Sequence, residues 1–464
     1  MCNLNDYKSI YFVGVGGISM SALAKLMKSK GKFVCGCDDV LSDITKKLET
    51  FGIPVYLNFC EQALKECELV VYTNAIQQNN KNLVLAKKLK KPILERAEFL
   101  GLVCKEYKTV IAVCGTHGKT TTTAMIAHIL KDKNPTVHIG GISKDFDDNL
   151  LFGSNELFIT EACEYNKSFL HINPTYTIVT NIEPDHMDCY KDFNELKSVF
   201  HKFICKTSKK VVFNHNFLQF YDDFFANDKI ITFSLNDNST YFATNIKEKN
   251  GCYSFVVNTR QTPLAKIKLN VVGLHNVQNA LAAIAICLEF GLSISEIAKQ
   301  LKTFQNVDRR FQVLFNKNVL VISDYAHHPT EIKASIMAAK KLKHRKIICI
   351  FEPHTYSRTL TLFKEFLYAF DEADKTIILK TYAAREKPIE GGTGFDLFLA
   401  LKEKGLDVDY YESTRPLFDK LDKIKEPNDI ILFLGAGTIN SFAIDYAKRL
   451  QNGKKIKKKL PKLS

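Results

Sequence analysis

Residues 115–121, Gly-Thr-His-Gly-Lys-Thr-Thr, combine the groups that a polyphosphate site requires. Gly115 and Gly118 permit a tight turn in which successive backbone N–H groups point at one anion. Thr116 and His117 complete the loop. Lys119 can reach β- and γ-phosphates, and the hydroxyl of Thr120 or Thr121 can ligate Mg²⁺. An apolar run, TVIAVC, leads into the loop and a helical pattern leads out of it. That strand–loop–helix order is the context a phosphate loop needs, and the helix adds its positive N-terminal end. The spacing is a shortened form of G-x-x-x-x-G-K-[ST], because Val113 stands where the pattern has its first glycine.

Further chemistry lies downstream at strand ends. LFITE and TYTIV read as strands of the same sheet. After them come Glu161 and Glu164, then Asn181, Glu183, Asp185, His186 and Asp188. Ligands of open α/β sheets bind at the carboxyl ends of strands. A carboxylate such as Glu161 there suits Mg²⁺, which takes oxygen ligands and shares phosphate oxygens. Asn276 and Asn279 lie three apart and share a face of one helix. Their amides suit an adenine edge or a helix cap, and spacing alone leaves both open. Arg309 and Arg310 follow in NVDRRFQVL.

These residues need a frame to position them. Residues 9–104 alternate short apolar runs with helical stretches, which predicts a parallel sheet with helical crossovers. Gly14, Gly16 and Gly17 occupy its first strand-to-helix turn, and Asp38 ends the second strand. This is the arrangement that holds a pyrophosphate and a ribose hydroxyl. It fits a dinucleotide or a UDP diphosphate, although Ser19 replaces the third glycine of G-x-G-x-x-G. Residues 208–272 read as a small antiparallel sheet, with a KNG turn. From residue 313 the strand–helix alternation resumes, and its loops carry DYAHHP (324–329), EPHTYSR (352–358), TYAAREKPIEGG (381–392) and GAGTI (435–439). Polar side chains gathered after several parallel strands predict a site. The expectation is an α/β protein in three parts: 1–106, 107–312 and 313–453, the first and third Rossmann-like and the middle one P-loop ATPase-like with a small added β-sheet, then a basic tail at 454–464.

Composition narrows the class. A chain of 464 residues, 46% hydrophobic and 25% charged, is an ordinary globular protein. No apolar run is long enough to span a bilayer, and MCNLNDYKSI lacks the layout of a signal peptide. Thirteen scattered cysteines with no C-x-x-C pair point to reduced thiols in a cytoplasm. The net charge is +14, with six lysines in the last twelve residues, which read as a solvated end. No aromatic–basic interleaving suggests nucleic acid.

The loop GTHGKTTT, the DHMD that follows TNI, G-x-H-N-x-x-N-A at 273–280 and the turn GVGGISM together resemble the Mur ligase family, in family order across all three parts. The resemblance implies ATP-dependent joining of L-alanine to the carboxylate of UDP-N-acetylmuramate through an acyl phosphate, in the cytoplasmic stage of peptidoglycan synthesis. It implies ATP and Mg²⁺, no nucleic-acid or membrane partner, and a monomer or weak dimer. By the same resemblance Thr120, Glu161 and His186 hold metal, Asn276 and Asn279 contact ATP with His275 nearby, and Arg310 reaches the γ-phosphate. Asp324 lies near ribose and metal. Gly16, Gly17, Asp38 and Arg96 (in ERAEFL) face the UDP-sugar. His327, His328, His354, Tyr356 and Arg358 face the alanine and muramate carboxylate, with His354 or His328 as base for the amine. Ser323, Thr355 and Thr438 depart from the family pattern, and Phe200 stands where sister ligases carry a modified lysine. The competing readings are a ligase for a preformed peptide, an oxidoreductase using the N-terminal glycine turn, and a P-loop ATPase without ligase activity.

Overall fold

The computed structural model describes residues 3–187, 189–220, 228–384 and 386–457. Asp188 and residues 458–464 of the basic tail therefore lie outside the described residues. The final helix, Ile439–Lys457, runs past residue 453, where the tail was expected to begin. Among the described residues no helix is long and apolar enough to cross a membrane, and every cysteine is free.

Three sheets follow one another along the chain. The first contains β1 (Ser9–Val13), β2 (Phe33–Asp38), β3 (Val55–Leu57), β4 (Leu69–Tyr72) and β5 (Ile93–Glu95). All pairs are parallel, in the order β3-β2-β1-β4-β5, so the chain starts in the middle and winds outward both ways. That places the β1 turn at the switch point of the sheet, where such folds take ligands.

The second sheet has ten strands: β6 (Thr109–Cys114), β7 (Thr136–Ser143), β8 (Asp148–Leu151), β9 (Leu157–Glu161), β10 (Tyr176–Val179), β11 (Lys210–Asn214), β12 (Ile230–Ser234), β13 (Tyr241–Lys249), β14 (Cys252–Asn258) and β15 (Pro263–Val272). Their order is β15-β14-β13-β12-β11-β10-β6-β9-β7-β8. The phosphate-loop strand β6 lies inside, parallel to both β9 and β10. It reads as a continuous apolar run because both faces are covered. Ala112 and Cys114 face one core, while Ile111 and Val113 face the other. The antiparallel strands expected at 208–272 are real in β13–β15, but they extend this same sheet. β11 and β12 are parallel members of it. The KNG turn closes β13 onto β14, with Asn250 at φ 52° and Gly251 at φ 76°, the positive pair that a two-residue hairpin turn demands.

The third sheet runs β16-β17-β21-β18-β19-β20, from β16 (Gln312–Asn316), β17 (Leu320–Asp324), β18 (Ile347–Phe351), β19 (Lys375–Leu379), β20 (Val408–Tyr411) and β21 (Ile430–Leu434). Only β16 is antiparallel. Helices cover both faces, and the sheet separates the interior into two cores.

Candidate active site

β6 ends at Cys114, and the helix Lys119–Ile129 begins immediately after Gly118. Gly118 is in the left-handed region at φ 81°, and a Cβ there would meet Asn279 Oδ1 at 2.5 Å. Gly115, at φ 131°, would meet Thr180 Oγ1 at 2.1 Å. At Gly115 the Asn181 backbone also stands in the way, so a side chain has no room; at Gly118 one would push the Asn279 side chain aside and strain the loop. The tip of β10 grips the loop from below. Thr180 Oγ1 donates to His117 O (2.6 Å), Asn181 Oδ1 accepts the His117 N–H (2.7 Å), and Asn181 Nδ2 donates to His117 O (3.0 Å). Thr116 Oγ1 donates to Glu183 O (3.1 Å) and accepts the Glu183 N–H (2.9 Å). These bonds fix the loop before any anion arrives.

Lys119 Nζ donates to Thr116 O (3.1 Å) and to both oxygens of Glu164 (3.0 and 3.1 Å). Burial opposes its charge, but the Glu164 carboxylate holds the ammonium above its ordinary range. Glu161 ends β9, and its Oε1 accepts the Gly140 N–H at 2.6 Å. His186 lies in the left-handed region at φ 56°, with Nε2 at 3.6 Å from Asp185 Oδ2 and 3.9 Å from Glu164 Oε1.

The third part closes over these groups. The helix Pro329–Lys340 is capped by His328 and begins with a reciprocal box, in which Glu331 accepts from the backbone N–H groups of His327 (3.1 Å) and His328 (3.4 Å). The other Glu331 oxygen is 2.9 Å from His117 Nδ1. Glu183 Oε2 is 3.4 Å from His117 Nε2 and accepts from Thr330 Oγ1 at 3.2 Å. Burial works against a charged imidazole, yet Glu331 and Glu183 hold His117 up to about 10. Arg358 Nε donates to Asp185 Oδ1 at 3.0 Å. Burial would raise the Asp185 carboxyl, but His186 and Arg358 hold it far below the usual range.

Several cavities open at this junction; one, about 560 Å³, is lined by Asp185, His186, His354 and Arg358, and two flank the phosphate loop. The larger, about 620 Å³, is lined by Thr116, His117, Gly118, Lys119, Thr120, Glu161, His186, Arg310, His327, His354 and Arg358. The smaller, about 160 Å³, is lined by His117, Gly118, Thr121, His275, Asn279, Arg310 and Asp324. Arg310 Nη2 is 3.4 Å from Thr120 Oγ1, and its guanidinium stacks on Tyr325, which Arg309 also covers. Burial raises the Asp324 carboxyl, which accepts from the Ser335 hydroxyl.

Other expected site residues take different roles. Asn276 donates to Val272 O (2.8 Å) and accepts from Asn279 Nδ2 (3.0 Å), so it stands behind Asn279 and braces it. Asp38 Oδ2 accepts the Gly16 N–H at 2.8 Å and its Oδ1 the Val40 N–H at 3.3 Å, so the carboxylate is used by its own turn. Gly16, Gly17, Asp38 and Arg96 line neither cavity. Tyr356 is buried at the start of a short helix, with its backbone against Gly392, and does not face either cavity.

The two histidines expected as base are both engaged. His354 Nδ1 must accept from Arg358 Nη1 (3.0 Å), and burial, with Arg358 and His186 adding to it, lowers His354 to about 4. His328 Nδ1 accepts the Thr330 N–H (3.3 Å), which leaves Nε2 to donate to Pro184 O (3.3 Å). Neither offers a free lone pair to an ammonium. His327 Nδ1 donates to Tyr325 O (3.0 Å), so its Nε2 carries the free lone pair.

The departures also have partners. Ser323 Oγ donates to Asn440 Oδ1 (2.8 Å), Thr355 sits at φ 64° with its N–H on Tyr382 O (2.9 Å), and Thr438 Oγ1 donates to Glu352 Oε1 (2.5 Å). Phe200 is fully buried against Phe169. Sequence reasoning passed over Glu331, Thr180 and His138. His138 bridges Ser19 Oγ (2.9 Å) and Thr160 Oγ1 (2.9 Å), joining the first glycine turn to the strand that bears Glu161. The one sequence signal for Glu331 was its place three residues after a helix cap.

A phosphate loop, acidic strand ends and a third sheet closing over them define an ATP-dependent ligase of three parts, and the sequence comparisons agree. The chain matches the Mur ligase family, catalytic domain, over residues 9–108, the Mur ligase middle domain over 113–287 and the Mur ligase, glutamate ligase domain, over 309–437. The chain belongs to the Mur ligase family. Among its relatives is the UDP-N-acetylmuramate–L-alanine ligase of Caldicellulosiruptor bescii, 43% identical over 94% of this chain and 97% of that one. The enzyme of the same name from Acetivibrio thermocellus is 41% identical over 94% of each chain. The solved UDP-N-acetylmuramate–alanine ligase of Thermotoga maritima is 31% identical, superposes with a TM-score of 0.82, and is covered over 96% of this chain and 99% of that one.

Proposed function

We propose that this chain is an ATP-dependent ligase that joins L-alanine to the carboxylate of UDP-N-acetylmuramate, releasing ADP and phosphate, at the cytoplasmic stage of peptidoglycan synthesis. One observation carries this reading. Lys119 and Glu161 from the middle sheet, and His327, His354 and Arg358 from the third, line a single cavity large enough for reacting groups from several substrates. Residues 1–106 serve the UDP-sugar, 107–312 the nucleotide and 313–453 the amino acid.

The muramate carboxylate attacks the γ-phosphorus of ATP, giving an acyl phosphate and ADP. The amine of L-alanine then attacks that carbonyl carbon, loses a proton, and phosphate leaves as the amide forms. Two anions meet in the first step, so Lys119 and Arg310 neutralise the phosphoryl oxygens. The donor set at Glu161 and Thr120 offers the oxygens that Mg²⁺ prefers, and His186 lines the same cavity. Bound there, Mg²⁺ would supply charge neutralisation at the transferred phosphoryl group. His327 Nε2, whose imidazole burial lowers to about 3, accepts a hydrogen bond from the amine while the departing phosphate takes its proton, and Arg358 with His354 orients the carboxylate. Asn279, braced by Asn276, faces the adenine in the smaller cavity, where Asp324 and His275 also lie. Sealing both cavities keeps the acyl phosphate from water.

The test is ADP release with ATP, UDP-N-acetylmuramate and each amino acid in turn. Release that needs both the sugar nucleotide and L-alanine supports the reading. Release with a preformed tripeptide but not alanine overturns it in favour of a peptide-adding ligase. ATP hydrolysis indifferent to the sugar nucleotide overturns it altogether.

A further inference from the structure

Four residues, His117, Gly118, Arg310 and Glu331, line both cavities and so form the boundary between them. A nucleotide with its base in the small cavity and its phosphates in the large one would lie across these four residues. Glu331 reaches this boundary from the third part of the chain and His117 from the phosphate loop, 214 residues apart in sequence. We propose that Glu331 is a positioning residue for the nucleotide: through its bond to His117 it fixes the phosphate loop against the third part of the chain. The inference rests on the ligase reading for the identity of the nucleotide.

The geometry separates this task from helix capping. A capping box needs a single acceptor oxygen at this position. Glu331 spends one oxygen on the His327 and His328 N–H groups and holds the other 2.9 Å from His117 Nδ1. The imidazole is braced on its other edge by Glu183 at 3.4 Å and packs on the His328 ring, centroid to centroid 4.7 Å. His117 also carries, through its own backbone, the bonds from Thr180 and Asn181 that shape the loop. A pull on its ring is therefore a pull on the loop's N–H groups.

The test is a double-mutant cycle on the full chain with Glu331→Gln and His117→Asn, reading the affinity for a fluorescent ATP analogue and the kinetics of ADP release. Gln keeps the cap but removes the charge. Glu331→Gln is expected to raise the nucleotide Kd and the KM for ATP about tenfold, the scale of one charge-assisted hydrogen bond, with kcat within about twofold. In the His117→Asn background the same substitution should change Kd by less than about twofold. Losses that multiply, or an unchanged Kd in Glu331→Gln, overturn the proposal while leaving the ligase reading intact. A wild-type chain that binds no nucleotide overturns both. Amide exchange of residues 115–119 in His117→Asn reads the tether even if Glu331→Gln does not fold. Faster exchange than wild type supports it, and unchanged exchange overturns it.

Discussion

Lys119 Nζ and Glu164 Oε2 are 3.0 Å apart, and the Glu164 side chain is only 2% exposed. The loop's cation is therefore balanced by a carboxylate that has almost no water of its own. Lys119→Ala removes the fixed charge at the transferred phosphoryl group and should lower kcat at least about 100-fold. It also strands a buried carboxylate, at a cost of about 3 kcal/mol in stability. Adding Glu164→Gln should restore much of the stability in a denaturant titration but none of the activity. Near-normal kcat in Lys119→Ala would remove the loop from the chemistry.

Among the described residues the Glu161 carboxylate accepts one hydrogen bond, from the Gly140 N–H. Its other oxygen remains available to a hard cation. Glu161→Ala should shift the Mg²⁺ titration of activity to higher concentration by at least tenfold, on the order of 1.4 kcal/mol. A superimposable titration would remove it from the metal site.

Gly118 combines φ 81° with a contact that any Cβ would make with Asn279. Gly118→Ala should therefore weaken nucleotide binding by displacing Asn279 from the small cavity and straining the loop by about 1 kcal/mol. Calorimetric titration with ATP reads the loss, and an unchanged Kd would show that the loop adapts.

His138 is 4% exposed, and burial together with the nearby Arg96 charge lowers its imidazole to about 3. The unfolded chain takes up that proton near pH 6.5 and the folded chain does not, so stability is lost as pH falls below about 6.5. By pH 4 this single group costs about 3 kcal/mol. Thermal unfolding between pH 7 and 4 should drop less steeply in His138→Gln. Parallel slopes would mean that other groups set the acid limit.

The glycines, lysine and threonines of the phosphate loop, and the acidic strand ends, were legible because local order, strand then loop then helix, fixes where their side chains point. The three-sheet plan was legible from alternation of apolar runs. Antiparallel character at β13–β15 was legible too, but not that these strands continue the middle sheet, because edge pairing leaves no mark in one strand's own pattern. Asp38 and Tyr356 have residue types that suit a ligand, yet their partners come from the adjoining backbone and a packed glycine turn. The surroundings of the histidines were hidden for a related reason. Which ring nitrogen of His354, His328 or His327 is free depends on Arg358, Pro184 and Tyr325, and only the folded chain brings these alongside. Glu331 escaped notice because a capping glutamate and an interdomain tether look alike in sequence.

The bonds from Glu331 to His117, Thr330 to Glu183 and Arg358 to Asp185 all cross between the same two parts of the chain. The bond from His328 to Pro184 crosses there too. On the ligase reading, a spent nucleotide behind these contacts leaves only as they come undone. The pace of the cycle then belongs to a swinging door as well as to bond making, and a more viscous medium should slow it.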